Sequence, residues 1–389
     1  MFAASGAAPR LAILAGTGCI VLLTAAGASA TSRPTAPKVA GARTARTGKK
    51  YVYVFSSHER GVPGSKLRFA CSLDRPKLRA CPRRLTETLG AGKHVLRVQA
   101  IDPAGRRSAV SRITILAKTP IQQLNLTKLW QVDVDSQAGG HNFFDVAVGS
   151  EGRLYVADSP ADRIDVYNPN GTPDFTFGSK GTGPGEFSFE SPDDVGLGGV
   201  GIDPATGDVY VADSANHRIE TFTPTGSFIS QWGANTLGEV IDAVVRPDGV
   251  VFTAEDNPNS IKQFTEAGML VKTLSGIPLS DAGGIALAGD GDLLAADYGS
   301  GSFNIVDPSG TLVKRVPIPD MSRASNVAAD ASGRIYVTDS NYARVDVFNA
   351  AGKQTGYLRT PIQPTGIAVG TDALYVTTYN GTLIAYSLP

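Results

Sequence analysis

Three side chains with oxygen donors, Asp145, Asp242 and Asn326, occupy one position of a repeated segment, and Gly199, Gly284 and Gly366 occupy that position in the copies between them. The runs that align are DVAV, GVGI, DAVV, GIAL, NVAA and GIAV. Hard divalent cations such as Ca²⁺ take about six to eight oxygen ligands. Three such side chains around an axis, with backbone carbonyls between them, are therefore a candidate metal site, and the same alternation also describes a solvated channel mouth. Asp193 and Asp194 could join Asp145 at such a rim. A second recurrent pair sets an Asp and an Arg five residues apart: Asp158 with Arg163, Asp213 with Arg218, and Asp339 with Arg344. A carboxylate before a tight turn accepts turn N–H groups and pairs with a nearby guanidinium, so these are structural elements of the repeat or a charged, ligand-facing surface.

Other chemistries lack their signatures. The chain has no HExxH and no GxSxG, the patterns of a zinc hydrolase and of a serine nucleophile on a strand-to-helix turn. The glycine-rich stretch from Ser179 to Val195 lacks GK[ST], so it is no phosphate-binding loop. His141 and His217 are the only histidines after residue 120, and His217 shares the turn of Arg218.

The elements that must position these residues follow from the repeat. Six copies align on the residue that closes a short apolar strand: Asp158, Asp213, Glu255, Asp297, Asp339 and Thr378, spaced by 55, 42, 42, 42 and 39 residues. A period near forty with several alternating strands per copy marks a propeller blade, a small sheet that buries both faces only by packing on its neighbours. The long first interval accommodates the glycine-rich insertion between Gly178 and Gly201. Each copy predicts strands a to d, except that the sixth ends before its fourth strand. An orphan strand, Leu129 to Val134, precedes the first copy and is expected to complete the last blade, closing the ring without an exposed edge.

The net charge of zero hides two opposed halves. Residues 31–120 carry 20 Lys+Arg against 4 Asp+Glu, and residues 121–389 carry 15 against 32. Residues 1–30, with Arg10, an apolar run and Ala28-Ser29-Ala30, are expected to be a secretory signal. Gly16-Thr17-Gly18 before Cys19 is not a lipoprotein box. In an exported chain the remaining pair, Cys71 and Cys81, is expected to form a disulfide. Residues 31–49 are expected as a basic flexible linker, 50–117 as a small β-sandwich of alternating strands, 118–126 as a second linker, and 127–389 as the propeller.

Two family resemblances add to this reading. FACSLD, Cys81 and LGAGKHVLRVQAIDPAG resemble the immunoglobulin-like modules of exported bacterial proteins, which implies a spacer or adhesion unit with His94 as a strand residue. Val146 to Phe187 and Gly201 to Gly233 resemble the NHL repeat, which implies a six-bladed propeller; Ser260, Ser302 and Thr382 stand where three copies should carry Arg. The lyase of peptidylglycine amidation in that family holds zinc with three channel histidines, a set that two histidines cannot reproduce. A gluconolactonase-like relative would hold a divalent ion with carboxylates and amides, for which Asp145, Asp242 and Asn326 would serve. The expected function is a binding scaffold at the cell envelope or outside the cell, with a protein or glycan ligand on the blade loops. The alternative is a divalent-metal-dependent hydrolase or lyase using the acidic channel mouth. No cofactor is required by the first reading; the second needs Ca²⁺ or another divalent cation. The dispersed charge of the basic module favours an anionic envelope polymer over nucleic acid, and no membrane span is expected after the signal.

Overall fold

The structure, a computed structural model, describes residues 33–118, 121–133, 143–189, 198–318, 321 and 323–389. The chain divides into two compact units between residues 120 and 121. Both are built of β-strands, and among the described residues helical structure is limited to short 3-10 turns. None of these turns is long and apolar enough to cross a membrane. The signal segment, His141, Asp193 and Asp194 lie outside the described residues.

The first unit pairs a three-stranded sheet (Lys38–Ala40, Lys50–Ser56, Arg84–Thr88) with a five-stranded one (Thr44–Arg46, Ser111–Lys118, Gly92–Ile101, Arg68–Leu73, Arg79–Cys81). Alternation puts Tyr53, Phe55, Phe69, Leu96, Val98 and Ile115 into one core. Cys71 and Cys81 are joined by a disulfide, their Cα atoms 5.8 Å apart on neighbouring strands. His94 lies within a strand, its Nδ1 2.6 Å from Asp74 and its Nε2 2.9 Å from the Gly90 carbonyl. The expected flexible linker 31–49 is corrected here: Lys38–Ala40 runs antiparallel to 54–56, and Thr44–Arg46 runs parallel to 116–118. Ala45 is buried and Val39 packs on the core. Strands of three residues are too short to show periodicity in a stretch rich in Pro, Ala and Arg.

Among its described residues the second unit contains six sheets, numbered I to VI. Sheet I comprises Phe143–Val148, Leu154–Asp158, Arg163–Tyr167 and Pro173–Phe177; sheet II, Val200–Ile202, Val209–Asp213, Arg218–Phe222 and Phe228–Trp232. Sheet III comprises Glu239–Val245, Val250–Asp256, Ser260–Thr265 and Leu270–Thr273; sheet IV, Ala282–Leu287, Leu293–Asp297, Ser302–Val306 and Leu312–Pro317. Sheet V comprises Ala324–Ala329, Ile335–Asp339, Arg344–Phe348 and Gln354–Arg359; sheet VI, Pro364–Val369, Ala373–Thr378 and Thr382–Ser387. The outer strand of sheet VI is Lys128–Asp133, antiparallel to Thr382–Ser387. Each first strand packs beside the next, and that of sheet VI packs beside that of sheet I. This is a β-propeller.

Every second strand from Leu154–Asp158 to Ala373–Thr378 is buried along most or all of its length, because neighbouring sheets cover both of its faces. That explains its nearly unbroken apolar sequence. The insertion after sheet I contributes to this packing: Phe187 and Phe189 stack with centroids 5.0 Å apart, and Phe187 meets Phe222 edge-on. Gly178, at φ +88°, leaves the space that the Phe187 ring occupies. The expected second linker also acquires structure. Gln122–Gln123 lies parallel to the outer strand of sheet V, and Leu124 packs over Gly356.

Candidate functional site

In the first strands of sheets I, III, IV, V and VI, the ladder to the second strand is interrupted at or beside the aligned Asp, Asn and Gly residues. Register shifts lie between Phe143 and Val146, Val240 and Asp242, Ala282 and Ile285, Ala324 and Val327, and Pro364 and Ile367. A bulge re-aims side chains and releases backbone amides from the ladder. Amides at this level of the first strands are captured by side chains, several of them from other sheets. Asp145 Oδ2 accepts from Val200 N of sheet II at 3.0 Å, and Asp242 Oδ2 accepts from Ile285 N of sheet IV at 2.8 Å. Asp242 Oδ1 and Asn326 Oδ1 accept from the amides that follow them, both at 2.7 Å. On sheets V and VI, Thr338 and Thr377 take over the task, accepting from Asn326 N and Gly366 N at 2.8 Å.

The three predicted oxygen donors therefore meet as a hub. Asn326 Nδ2 donates to Asp145 Oδ1 at 2.7 Å, from sheet V to sheet I. Burial pushes the Asp145 and Asp242 carboxyls up, and Asp242 is raised further by the neighbouring Asp145. The intervening glycines have a steric cause. A Cβ on Gly199 would lie 2.5 Å from the Asp242 Cα, one on Gly366 would lie 2.6 Å from the Asp145 Cα, and one on Gly284 would strike the Asn326 amide. Alternation around the ring thus follows from backbone approach: a side chain on one sheet requires its absence on the sheet before. All five side-chain oxygens of the hub accept from amides of the fold, a donor set that suits packing; a cation would have to compete with those amides.

A cavity of about 470 Å³ runs from this hub along the first strands to Pro204, Arg246, Pro247 and Gly289. Its walls are aliphatic, with Val146, Ile202, Val244, Ile285, Val327 and Ile367 among them.

The Asp–Arg pairs form a second layer, at the ends of the second strands. Arg218 Nε is 2.7 Å from Asp213 and its Nη2 is 2.9 Å from Glu220. The glycine-rich insertion encloses the same guanidinium, which donates to the carbonyls of Thr182, Gly183 and Glu186 at 2.6 to 2.9 Å. Arg163 reaches Asp158 at 3.5 Å and Asp165 at 2.7 Å, and Arg344 reaches Asp339 at 3.2 Å and Asp346 at 2.8 Å. Where the repeat lacks this Arg, another residue substitutes for it. Glu255 pairs with Lys262 at 2.7 Å, two positions beyond Ser260, and Asp297 pairs with Arg315 of the outer strand at 2.8 Å. On sheet VI the pair is neutral on one side, Thr382 donating to Asp133 at 2.9 Å. Lys262 and Arg315 were not legible as partners, because each reaches the carboxylate from a different register. His217 is an exposed turn residue in the left-handed region, at φ 54°.

The NHL repeat model matches residues 197–222. Peptidylglycine alpha-amidating monooxygenase of Rattus norvegicus is 30% identical over 110 residues, and the Mus musculus protein is 31% identical over 110; each match covers 26% of this chain and 11% of that protein. The chain thus spans about a tenth of these relatives. Among solved structures, a structural genomics protein of unknown function from Bacteroides thetaiotaomicron aligns with a TM-score of 0.50 at 12% identity, over 93% of this chain and all of that one. Virginiamycin B lyase from Staphylococcus aureus aligns with a TM-score of 0.48 at 15% identity, over 78% of this chain and 94% of that one.

Proposed function

We propose that the protein is a non-catalytic binding scaffold. In this reading the six sheets are the blades of an NHL-type propeller closed by the strand Lys128–Asp133, and the first unit is an immunoglobulin-like spacer. The chain is exported, and its basic module holds an anionic polymer of the cell envelope. The observation that carries the reading is the engagement of the repeat's chemical groups. The hub oxygens accept from fold amides, and the charged ends of the second strands are held by Arg or Lys. Specificity then falls to the loops, where Tyr342 and Tyr379 follow the second strands of sheets V and VI and are each more than half exposed. Exposed tyrosines are frequent anchors for protein and glycan ligands. The disulfide Cys71–Cys81 suits an oxidising compartment.

The metal-dependent alternative uses Asp145, Asp242 and Asn326, and needs a cation to gather its ligands from oxygens that each already accept an amide hydrogen. Melting the full chain in chelator, then in millimolar Ca²⁺, Mg²⁺ or Zn²⁺, separates the two. A ligand at a hundred times its Kd adds about 2.7 kcal/mol to the native state. The scaffold reading expects no such rise. A rise abolished in the Asp145→Asn/Asp242→Asn double variant would replace it with the metal reading.

A further inference from the structure

The channel has a chemical character that the loops do not share. Its walls are aliphatic over the whole length of the first strands, and its volume of about 470 Å³ lies within the range of small-molecule sites, about 300–1,000 Å³. Its hub end bears two carboxylates, Asp145 and Asp242, each less than 5% exposed. The acidic groups that end the second strands of sheets I to V all have an Arg or Lys within 3.5 Å. Asp145 and Asp242 differ: among the described residues their hydrogen-bond partners are neutral, the amides of Val146, Val200, Ala243, Ile285 and Asn326. At the other end, Arg246 forms an ion pair with Asp248 and stacks on Phe252. The cavity therefore joins an apolar body to a floor of two acidic groups, and the one cationic side chain among its described lining residues, Arg246, is paired with Asp248 at the other end.

We propose that the channel binds a primary amine with a compact aliphatic body. The ammonium group lies at Asp145 and Asp242, using carboxylate lone pairs that the amides leave open. The hydrocarbon lies along Val146, Ile202, Val244, Ile285, Val327 and Ile367 and is removed from water there. A carboxylate ligand of the same shape meets like charge, and an alcohol brings no charge to offset the floor. This site is separate from the loop surface above, so either assignment can fail without the other.

The test uses the full chain and three probes of one length: hexylammonium, hexan-1-ol and hexanoate. Calorimetric titration should show saturable binding of hexylammonium, at least tenfold weaker binding of hexan-1-ol and none of hexanoate. Asp242→Asn, which keeps the side-chain shape, should weaken the amine tenfold or more and leave the alcohol unchanged. Asp145→Asn provides the same readout if Asp242→Asn fails to fold. Val244→Phe, which fills the channel, should weaken both amine and alcohol. Equal affinities for amine and alcohol, amine binding unaffected by both Asp variants, binding unaffected by Val244→Phe, or no saturable binding at all would each overturn the proposal.

Discussion

The side-chain amide of Asn326 donates to Asp145 across 2.7 Å, although the two residues are 181 positions apart and sheet VI stands between their sheets. Sheet VI contributes Gly366 at that level, and its missing Cβ is what lets Asp145 approach. One hydrogen bond therefore ties together alternate members of the ring, and its strength depends on Asn326 remaining a donor. Asn326→Asp would set a third buried carboxyl against Asp145. A buried charge without a partner costs about 3–5 kcal/mol, so the melting temperature should drop clearly at pH 8 and recover in part at pH 5, where the pair can share a proton. Calorimetric melts at the two pH values check this; an equal loss at both would mean that charge is not the cause.

The hub glycines are expected to be far less replaceable than glycines elsewhere. Gly199→Ala and Gly366→Ala each drive a methyl into a neighbouring backbone, and overpacking of this kind costs about 1–3 kcal/mol. Gly289, at the opposite end of the channel, has no neighbouring atom within 4 Å of the place a Cβ would take, so Gly289→Ala should be nearly neutral. Urea denaturation of the three variants ranks them directly.

The three arginines of the repeat should rank by burial. Side-chain exposure is 8% for Arg218, 19% for Arg344 and 36% for Arg163. Removing one partner of a buried pair costs about 3–5 kcal/mol, and an exposed pair is worth about 0–1 kcal/mol. Arg218→Met should therefore be the most damaging, since it strands Asp213 and Glu220 and leaves three insertion carbonyls without their donor. Arg163→Met should be the mildest. A reversed order in thermal melts would contradict the pairing.

Stability should fall as the pH rises from 5 to 8. Burial pushes Glu220 up to about 7 and Asp346 to about 6, and raises Asp145 and Asp242 as well. A carboxyl whose folded pKa exceeds the unfolded value of about 4 binds its proton more tightly when folded. Its contribution is full below about pH 4 and is lost as the pH climbs through 6 and 7. Asp330 acts oppositely: burial works against its charge, but hydrogen bonds from Ser332, Arg334 and Tyr336 hold it at about 2, so its contribution is lost only in stronger acid. Melting temperatures across pH 3–9 should peak near pH 4. A flat profile from 5 to 8, or one unaltered in Asp346→Asn, would count against these assignments.

Much of this was legible because the repeat is written in alternation. The residue closing each second strand marked each sheet, and the missing fourth strand of the last copy pointed to Leu129 to Val134, where the structure has the strand Lys128–Asp133. Cross-sheet chemistry was less visible. The alternation of Asp145, Gly199, Asp242, Gly284, Asn326 and Gly366 was apparent, but its cause, the contact of each glycine with the next sheet's side chain, depends on a distance no single copy contains. The replacement of Arg by Lys262 or Arg315 was hidden for the same reason: alignment compares equal positions, whereas electrostatic pairing asks only for proximity. Lys38–Ala40 and Thr44–Arg46 are held by their partners' ladders rather than by a pattern of their own.

The pairing of Lys128–Asp133 with Thr382–Ser387 also sets an order of events. Synthesis produces Asp133 249 positions before its neighbour Thr382, so the earlier strand gains this partner only when the last strand has been made. A nascent chain stalled anywhere short of Thr382 leaves an open hydrogen-bonding edge, and the arrival of Thr382–Ser387 conceals it. Closure of the ring thus depends on both ends of the second unit at once.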